Sequence, residues 1–427
     1  MKTPASLDFG HAPETIQFWK RLVREALSLS APTPFYIFSN TPIAERISEL
    51  ANSLIAAGFK SEFRNLKSPI GFRHWLSFKT QPVRPLLNWW RAQGRPVEVV
   101  SEIELRAALA EGFTPENILV NGPAKHHWLH QFQARELSVN FDSRAELDAL
   151  LPLAKKLNWC LGVRILTGEE FDPDNPQFPT QFGLAPDEAV TALKKLVRAK
   201  VRIETVQFHL RSNLPTAQFF ERAIAEVAVI CAAAKFSPLY LDIGGGVPVP
   251  HILSRSGKVL DGQFGLNAFA QMLRQSAKLF PGLRELWLEN GRFVSAGSGV
   301  LVVKILDVKE RRGLRQLICD GGRTMNAMMA TWEQHALIPL ADGKGDKEAL
   351  TTVCGPTCMA FDQLARIPLP RSLRAGDHLI WMDAGAYHLP WEIRFSHGHA
   401  AVFWHDENGL RLARDRQSFE NLWSQWL

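Results

Sequence analysis

Short apolar runs alternate with segments of helical period from residue 75 to residue 289, and this alternation limits the possible folds more than any other feature of the sequence. The runs predicted as strands are residues 75–78, 97–100, 118–121, 137–141, 160–165, 206–210, 239–243 and 286–289. The predicted helices include residues 102–111, 144–157, 186–199, 217–234 and 267–279. Eight strands in this order suit a closed (β/α)8 barrel, although a doubly wound open sheet could use the same alternation. We favour the barrel because polar residues cluster where the strands end.

The segments on either side of this alternation have other patterns. Before it, residues 16–29 predict an amphipathic helix and residues 35–38 a short strand. A second helix begins with Thr41 as its N-cap and Pro42 in its first turn. After it, strands joined by turns predict a mostly antiparallel β domain. These predicted strands are residues 300–308, 314–319, 351–354, 378–382, 400–404 and 410–412.

The predicted fold class is therefore α/β + β, with an N-terminal TIM-like (β/α)8 barrel and a C-terminal, mostly antiparallel β domain. We expect residues 1–40 to be a lead-in whose strand joins the β domain, residues 41–295 to form the barrel, and residues 296–427 to form the β domain. Residues 340–348, which include Asp342 and Asp346, predict a polar loop.

Composition and charge argue against several classes of function. The net charge of +6 comes from scattered Lys and Arg, without the basic, aromatic-rich runs of a nucleic-acid site. Five cysteines in a chain of 427 residues suggest reduced thiols, and no His or Cys cluster accompanies Cys354 and Cys358 as a metal site would need. No apolar run approaches membrane length, and the N-terminus has no signal-peptide pattern. We expect a cytoplasmic protein without metal, membrane or nucleic-acid ligands.

Lys79 ends the first predicted barrel strand, and in a barrel such strand ends share the rim where active sites lie. The common interpretation is a lysine that extends its ammonium group to water. The alternative is an amine held in a pocket, where it can form a Schiff base with a carbonyl group. Glu98, Arg164 and His209 end later strands and would face the same rim.

Two further strand ends suggest a cofactor site. Gly244, Gly245 and Gly246 would let the backbone approach an anion, although they could also form a simple tight turn. Glu289 is either the partner of Arg292 in a salt bridge or an acid that faces a ring nitrogen.

Two residues of the predicted β domain could also carry chemistry. Cys358 follows a Gly-Pro turn and is either a structural cysteine or a proton donor. Tyr387 follows small residues and either packs in the β domain or places its hydroxyl on a phosphate.

Taken together, these motifs resemble the PLP-dependent amino-acid decarboxylases of the alanine-racemase fold, the family of ornithine and diaminopimelate decarboxylases. The resemblance covers about residues 35–405, and its motifs occur in the family's order. It implies pyridoxal 5'-phosphate as cofactor, an amino acid as substrate and a homodimer with shared active sites.

The resemblance also implies a role for each candidate residue. Lys79 would carry the cofactor, His209 would stack on its ring, and Glu289 would pair with the pyridine nitrogen. Cys358 would be the proton donor, supplied by the partner subunit together with the Tyr387 segment. The remaining cofactor-binding residues would be Glu98, Arg164, Ser212, Gly244, Gly245, Gly246, Gly291, Arg292 and Tyr387.

The sequence departs from the family pattern at Asn290 and Arg211, and most clearly at Met359. Met359 stands where an acidic residue often reads the far amino group of the substrate. Arg323 and Glu333 are the nearest candidates for other substrate contacts. These departures favour a modified, conjugated or diamino acid, as in secondary or siderophore-type metabolism, over ordinary ornithine, lysine or diaminopimelate.

Two alternatives to an α-decarboxylase stay open. An amino-acid racemase of the same fold would want a second base, usually a tyrosine, opposite Lys79. A non-catalytic PLP-binding regulator would have no need to keep Lys79, Glu289 and Cys358 together.

Overall fold

The first sheet of the molecule is parallel and closes into an eight-stranded barrel. Its first strand is interrupted at Trp75, so that Gly71–His74 pairs with the last strand, Glu285–Leu288, while Leu76–Ser77 pairs with Val97–Val99. The remaining strands are Ile118–Val120, Ser138–Phe141, Cys160–Arg164, Ile203–Gln207 and Tyr240–Asp242. This computed structural model describes residues 8–60, 70–171, 180–326, 329–341 and 347–425. The predicted barrel is confirmed, because this pairing returns the last strand to the first.

Helices lie between most of the barrel strands and bury one apolar stripe each. In Pro186–Arg198, the buried residues Ala189, Leu193 and Leu196 recur at helical spacing, and Pro186 occupies the first turn, where its missing N–H costs nothing. The described α-helices around the barrel are Asn40–Ala56, Arg84–Ala92, Glu102–Ala110, Arg144–Lys156, Pro186–Arg198, Gln218–Ala234, Leu266–Ser276 and Gly291–Ser295.

Two details of the helices differ from the prediction. The N-cap of Asn40–Ala56 is Ser39, whose side chain accepts a hydrogen bond from the Thr41 N–H, so Thr41 as N-cap was wrong. Arg84–Ala92 was not predicted. Its proline is tolerated because it lies in the first turn of the helix.

The second sheet is mixed and contains the N-terminal strand Phe35–Ser39. This strand runs antiparallel to Gly299–Arg311 and parallel to Ala401–Asp406. Gln363–Pro370, which was not predicted, lies at one edge of the sheet, where its prolines interrupt no ladder on the outer side. The other strands of the sheet are Leu314–Cys319, Leu337–Pro339, Glu348–Cys354, His378–Trp381 and Gly409–Arg414. Leu253–Ser254 and Glu333–Gln334 form a separate short pair.

Phe35–Ser39 contributes to two hydrophobic cores because its side chains alternate between the faces of the sheet. Tyr36 and Phe38 belong to the large core that includes the barrel. Phe35 and Ile37 pack in a second core with the helix Pro13–Ser28. The division of the chain at residues 40 and 295 stays a prediction.

Two sequence expectations concern other segments. The predicted loop residues Asp342–Asp346 lie outside the described residues. In the part of the chain that is described, none of the helices has the length and apolar character needed to cross a membrane.

A fully buried ion pair joins Lys125 to Glu146 beneath the barrel rim, with Nζ 2.7 Å from Oε2. We expect Lys125→Met to lower the free energy of unfolding by about 3–5 kcal/mol, because it leaves the Glu146 charge buried without its cation. Urea denaturation measures the change. Lys195→Met, which breaks the exposed pair of Lys195 with Asp148, is the control and should cost less than about 1 kcal/mol. Equal losses in the two variants would contradict this account.

Candidate active site

Lys79 lies in the short turn Phe78–Thr80, directly after the first barrel strand. Its Nζ donates to both carboxylate oxygens of Glu98, at 2.9 and 2.8 Å, and Glu98 is buried on the second strand. Burial alone would lower the pKa of Lys79, but the charges of Glu98, Tyr387 and Glu289 together raise it above its usual value. The lysine therefore holds its proton against the Glu98 carboxylate, in a cavity that Glu289 also lines.

Glu289 and Asp242 form a buried pair of carboxyl groups at the ends of the last two barrel strands. Burial first, and then the charge of the neighbouring acid, raises the pKa of Glu289 well above its usual value. Burial likewise raises the pKa of Asp242 to about 6. Near neutral pH the pair therefore retains a proton more readily than exposed acids would.

Two asparagines on neighbouring strands orient this pair. The Asn121 amide donates to Glu289 Oε1 at 2.6 Å, and the Asn140 amide donates to Asp242 Oδ2 at 3.2 Å. The Asn140 amide also donates to Asn121 Oδ1 at 2.9 Å. The amides thus fix both carboxyl groups without adding charge.

His209 lies two residues beyond the strand Ile203–Gln207, and not within a strand as predicted. Its Nδ1 accepts a hydrogen bond of 3.1 Å from the Gly245 N–H. Burial, with the positive charges of Arg164 and Lys79, lowers the pKa of His209 to about 3. The imidazole is therefore neutral at physiological pH, and it borders the cavity above Lys79.

The glycine turn uses most of its N–H groups internally. Gly244 (φ +63°) donates to Asp242 Oδ1 at 3.0 Å, and Gly245 donates to His209. A Cβ on Gly244 would collide with the His209 ring. Gly246 (φ +117°) donates its N–H to no group in the described part of the chain. The sequence had suggested a turn that aims its amides at an anion, and one of the three glycine amides is free for that purpose.

Arg292 pairs with Glu333 and not with Glu289. Its Nη1 lies 2.7 Å from Glu333 Oε1, and its guanidinium is 4.8 Å from the centre of the Tyr387 ring. The buried Nε of Arg292 has no acceptor among the described residues. Glu333 also accepts from Asn213 at 3.3 Å, so its carboxylate supports Arg292 from behind.

Tyr387 belongs to the same chain as the lysine it faces. Its N–H donates to the Thr80 carbonyl at 2.7 Å, one residue after Lys79. The expectation that a partner subunit supplies the Tyr387 segment was therefore wrong. The loop after the strand His378–Trp381 returns to the barrel rim and covers the first strand end.

Most of the predicted site residues meet in two adjoining cavities. The larger, of about 640 Å³, opens over the lysine, and its predicted residues are Lys79, Glu98, Arg164, His209, Ser212 and Glu289. The smaller has room for a phosphate-sized group, and its predicted residues are Lys79, His209, Ser212, Gly245, Gly246, Glu289, Gly291, Arg292 and Tyr387. Within the larger cavity, Arg164 donates to Glu170 at 3.0 Å.

Cys358, Met359 and Arg323 border neither of these two cavities. Cys358 is exposed on a loop of the β domain. Asp362 anchors this loop, since its carboxylate accepts from the Thr357 hydroxyl and from the Arg323 N–H, both at 2.6 Å. The loop presents its cysteine away from the cavities of its own chain.

Sequence reasoning assigned no role to Asp242, Asn140 or Asp362. Asp242 could have been found, because an acid in a buried strand, two residues before a glycine turn, requires a partner. Asn140 and Asp362 gave no such signal, since their importance comes from contacts with residues distant in the sequence.

These residues fit pyridoxal phosphate. The smaller cavity offers the free N–H of Gly246 and the unpaired Nε of Arg292 to a phosphate. The neutral imidazole of His209 can face an aromatic ring, and Glu289 can meet a ring nitrogen. Lys79 supplies the amine that an aldehyde requires.

Comparison with known proteins agrees with this fit. The family model described as "Pyridoxal-dependent decarboxylase, pyridoxal binding domain" matches residues 58–296. Diaminopimelate decarboxylase of Zymomonas mobilis is 26% identical over 410 residues, covering 91% of this chain and 91% of that protein. The enzyme of the same name from Actinosynnema pretiosum is 29% identical over 326 residues, covering 73% and 72%. The crystal structure of Helicobacter pylori diaminopimelate decarboxylase with L-lysine superposes with a TM-score of 0.80 at 22% identity, covering 94% and 99%.

The raised pKa values of Glu289 and Asp242 predict a pH-dependent effect of Glu289→Gln on the protein without cofactor. Consider an acid whose pKa is higher in the folded than in the unfolded protein. Such an acid destabilises the fold increasingly as pH rises from its unfolded pKa towards its folded pKa. Glutamine keeps the bond with Asn121 and removes this cost. We expect the melting temperature to rise at pH 8, by roughly 2–4 °C per kcal/mol recovered, and the gain to shrink as pH falls towards the ordinary glutamate pKa of 4.5.

Thermal melts between pH 5 and 8 measure this effect. Glu285→Gln, at the other end of the same strand, is the control, because it loses a contact with Arg73 and should not gain stability at any of these pH values. A gain for Glu289→Gln that is independent of pH would refute the explanation.

Proposed function

Since the chain belongs to the family of pyridoxal-dependent decarboxylases, we propose that it removes the α-carboxylate of an amino acid whose far end carries no free ammonium group. The observation that carries the proposal is the position of Lys79. Its Nζ lies against buried Glu98, in a cavity that also contains Glu289 and adjoins a phosphate-sized pocket.

Bound pyridoxal phosphate supplies an aldehyde that condenses with amines and a ring that accepts the electron pair left by a departing carboxylate. Lys79 would contribute its Nζ to that aldehyde. Because the lysine holds its proton tightly, the proton must first move, and Glu98 at 2.8 Å is placed to accept it. The same carboxylate would return a proton to Nζ when the product leaves.

Glu289 would hold a proton at the ring nitrogen. A buried carboxylate of raised pKa shares a proton strongly with a neighbouring nitrogen, which keeps the ring electron-poor. Asn121 and Asp242 hold Glu289 in place for this contact. Neutral His209 would cover one ring face without adding a positive charge that opposes protonation of the nitrogen.

Among the described residues, the far end of the substrate has no free acid to meet in the larger cavity. Of the carboxylates that line it, Glu98 is engaged with Lys79, Glu289 with Asn121, and Glu170 with Arg164 and Thr180. Met359 adds no charge. These contacts support a blocked, conjugated or otherwise uncharged far end, as in secondary metabolism.

A homodimer would complete the site. Apolar side chains are exposed on the Cys358 loop and in other segments between residues 332 and 395, as a subunit contact would need. They are Trp332, Phe361, Ile393 and Phe395. With Cys358 outside the cavities of its own chain, Cys358 of the partner subunit would deliver the proton to Cα after the carboxylate leaves.

Release of CO₂ from a panel of amino acids tests the proposed reaction. We expect higher kcat/KM for Nε-acyl lysine and Nδ-acyl ornithine than for lysine, ornithine or diaminopimelate, because a free ammonium group would lose its hydration without gaining an acid partner. Lys79→Ala should abolish release, and borohydride should fix the cofactor to Lys79 of the wild type. Lys278→Ala, at an exposed site, is the control.

The outcomes separate the alternatives. Preference for a free diamine would contradict the proposed substrate class but not the reaction. Exchange of the α-hydrogen without CO₂ would indicate a racemase, and cofactor binding without either reaction would indicate a regulator.

Mixing two inactive variants tests the shared site. Lys79→Ala and Cys358→Ala should each lose about a hundredfold or more in rate. After the subunits exchange, half of the dimers are hybrids with one intact site, so about a quarter of wild-type activity should return. No recovery in a mixture shown to contain hybrid dimers would place both residues in one subunit's site.

A further inference from the structure

The phosphate-sized pocket obtains few hydrogen-bond donors from its glycine turn. The N–H groups of Gly244 and Gly245 are used by Asp242 and His209. The Val247 N–H, next in the chain, donates to Asn290 Oδ1 at 3.2 Å. A phosphate bound here must therefore rely on donors outside the glycine turn in addition to the Gly246 N–H.

Asn290 is the best-placed of these donors that has no assigned role. It lines the pocket, its side chain is buried, and only 2% of the residue is exposed. Its Oδ1 is held by the Val247 N–H, which fixes the orientation of the amide. Its Nδ2 finds no acceptor in the described part of the chain. A buried amide donor left without a partner is costly, so a group that fills the pocket should accept from it.

The neighbouring cation is already partly neutralised. Arg292 shares its charge with Glu333 through a contact of 2.7 Å, which leaves the Nε of Arg292 for the pocket. Asn290 and Arg292 follow the same strand and line the same pocket. Two residues that line the pocket thus each carry a buried donor without a partner among the described residues.

We propose that the Asn290 amide is a cofactor-binding group that donates Nδ2–H to the phosphate of pyridoxal phosphate. The inference rests on the proposed role of this pocket in binding the cofactor. Asn290 would link two tasks, since one amide atom holds the turn at Val247 and the other holds the phosphate.

Titration of the cofactor-free, full-length protein with pyridoxal phosphate or with pyridoxal tests this role, because it measures Kd for each compound. Asn290→Asp keeps an acceptor for the Val247 N–H but replaces the donor with an anion. We expect Kd for pyridoxal phosphate to rise about tenfold or more, as for loss of a hydrogen bond to a charged group, and Kd for pyridoxal to change less than about twofold. Asn117→Asp, which adds the same charge before the third barrel strand, should change neither value.

Each outcome decides one point. Equal weakening for pyridoxal phosphate and pyridoxal would assign Asn290 a role in the turn alone, and no weakening would remove it from the phosphate site. If circular dichroism shows that Asn290→Asp is unfolded, Asn290→Ala is compared in the same way, with a selective loss for the phosphorylated form expected. A wild-type protein that binds no pyridoxal phosphate would overturn the proposed function itself.

Discussion

Three carboxyl groups buried beneath one barrel rim are the constraint on which the rest of the site depends. Glu98 and Asp242 lie on two of the parallel strands and Glu289 directly follows a third, and the closed barrel brings their side chains together. Such a group of acids is unfavourable unless protons, cations and amides compensate it. Lys79 and Asn121 do so here, and the glycine turn then forms around Asp242 through the Gly244 N–H.

The sequence predicted most of the fold because barrel strands and their helices are short-range patterns. The closed barrel follows from eight alternations, and the strand ends gave many of the polar residues that line the cavities. The errors in the predicted helices and strands came from local sequence signals. Ser39 competed with Thr41 as a cap, and proline concealed both the helix Arg84–Ala92 and the edge strand Gln363–Pro370. Whether a cap or a proline is accepted at a given position depends on which backbone N–H groups the fold leaves unpaired. A sequence pattern cannot show this, because the pairing is decided only when the sheets form.

The residues of the site were easier to predict than the contacts that they make with one another. Glu289 and Arg292 are three residues apart, and a salt bridge between them was one open interpretation. Arg292 instead meets Glu333, which arrives from the β domain. The resemblance to a family placed the Tyr387 segment in the partner subunit, whereas its N–H binds the Thr80 carbonyl of its own chain. Contacts between sequence-distant segments decide these pairings.

The β domain therefore acts on the barrel in two separable ways. Glu333 and Tyr387 contact Arg292 from within the chain, one through an ion pair and the other through its ring. The Asp362 carboxylate holds the Cys358 loop through the Thr357 hydroxyl, and Cys358 itself is exposed. Residues on that loop, such as Met359, can change without disturbing the buried network of Lys79 and Glu98. Substrate preference can consequently diverge in a chain whose cofactor chemistry is fixed by its barrel.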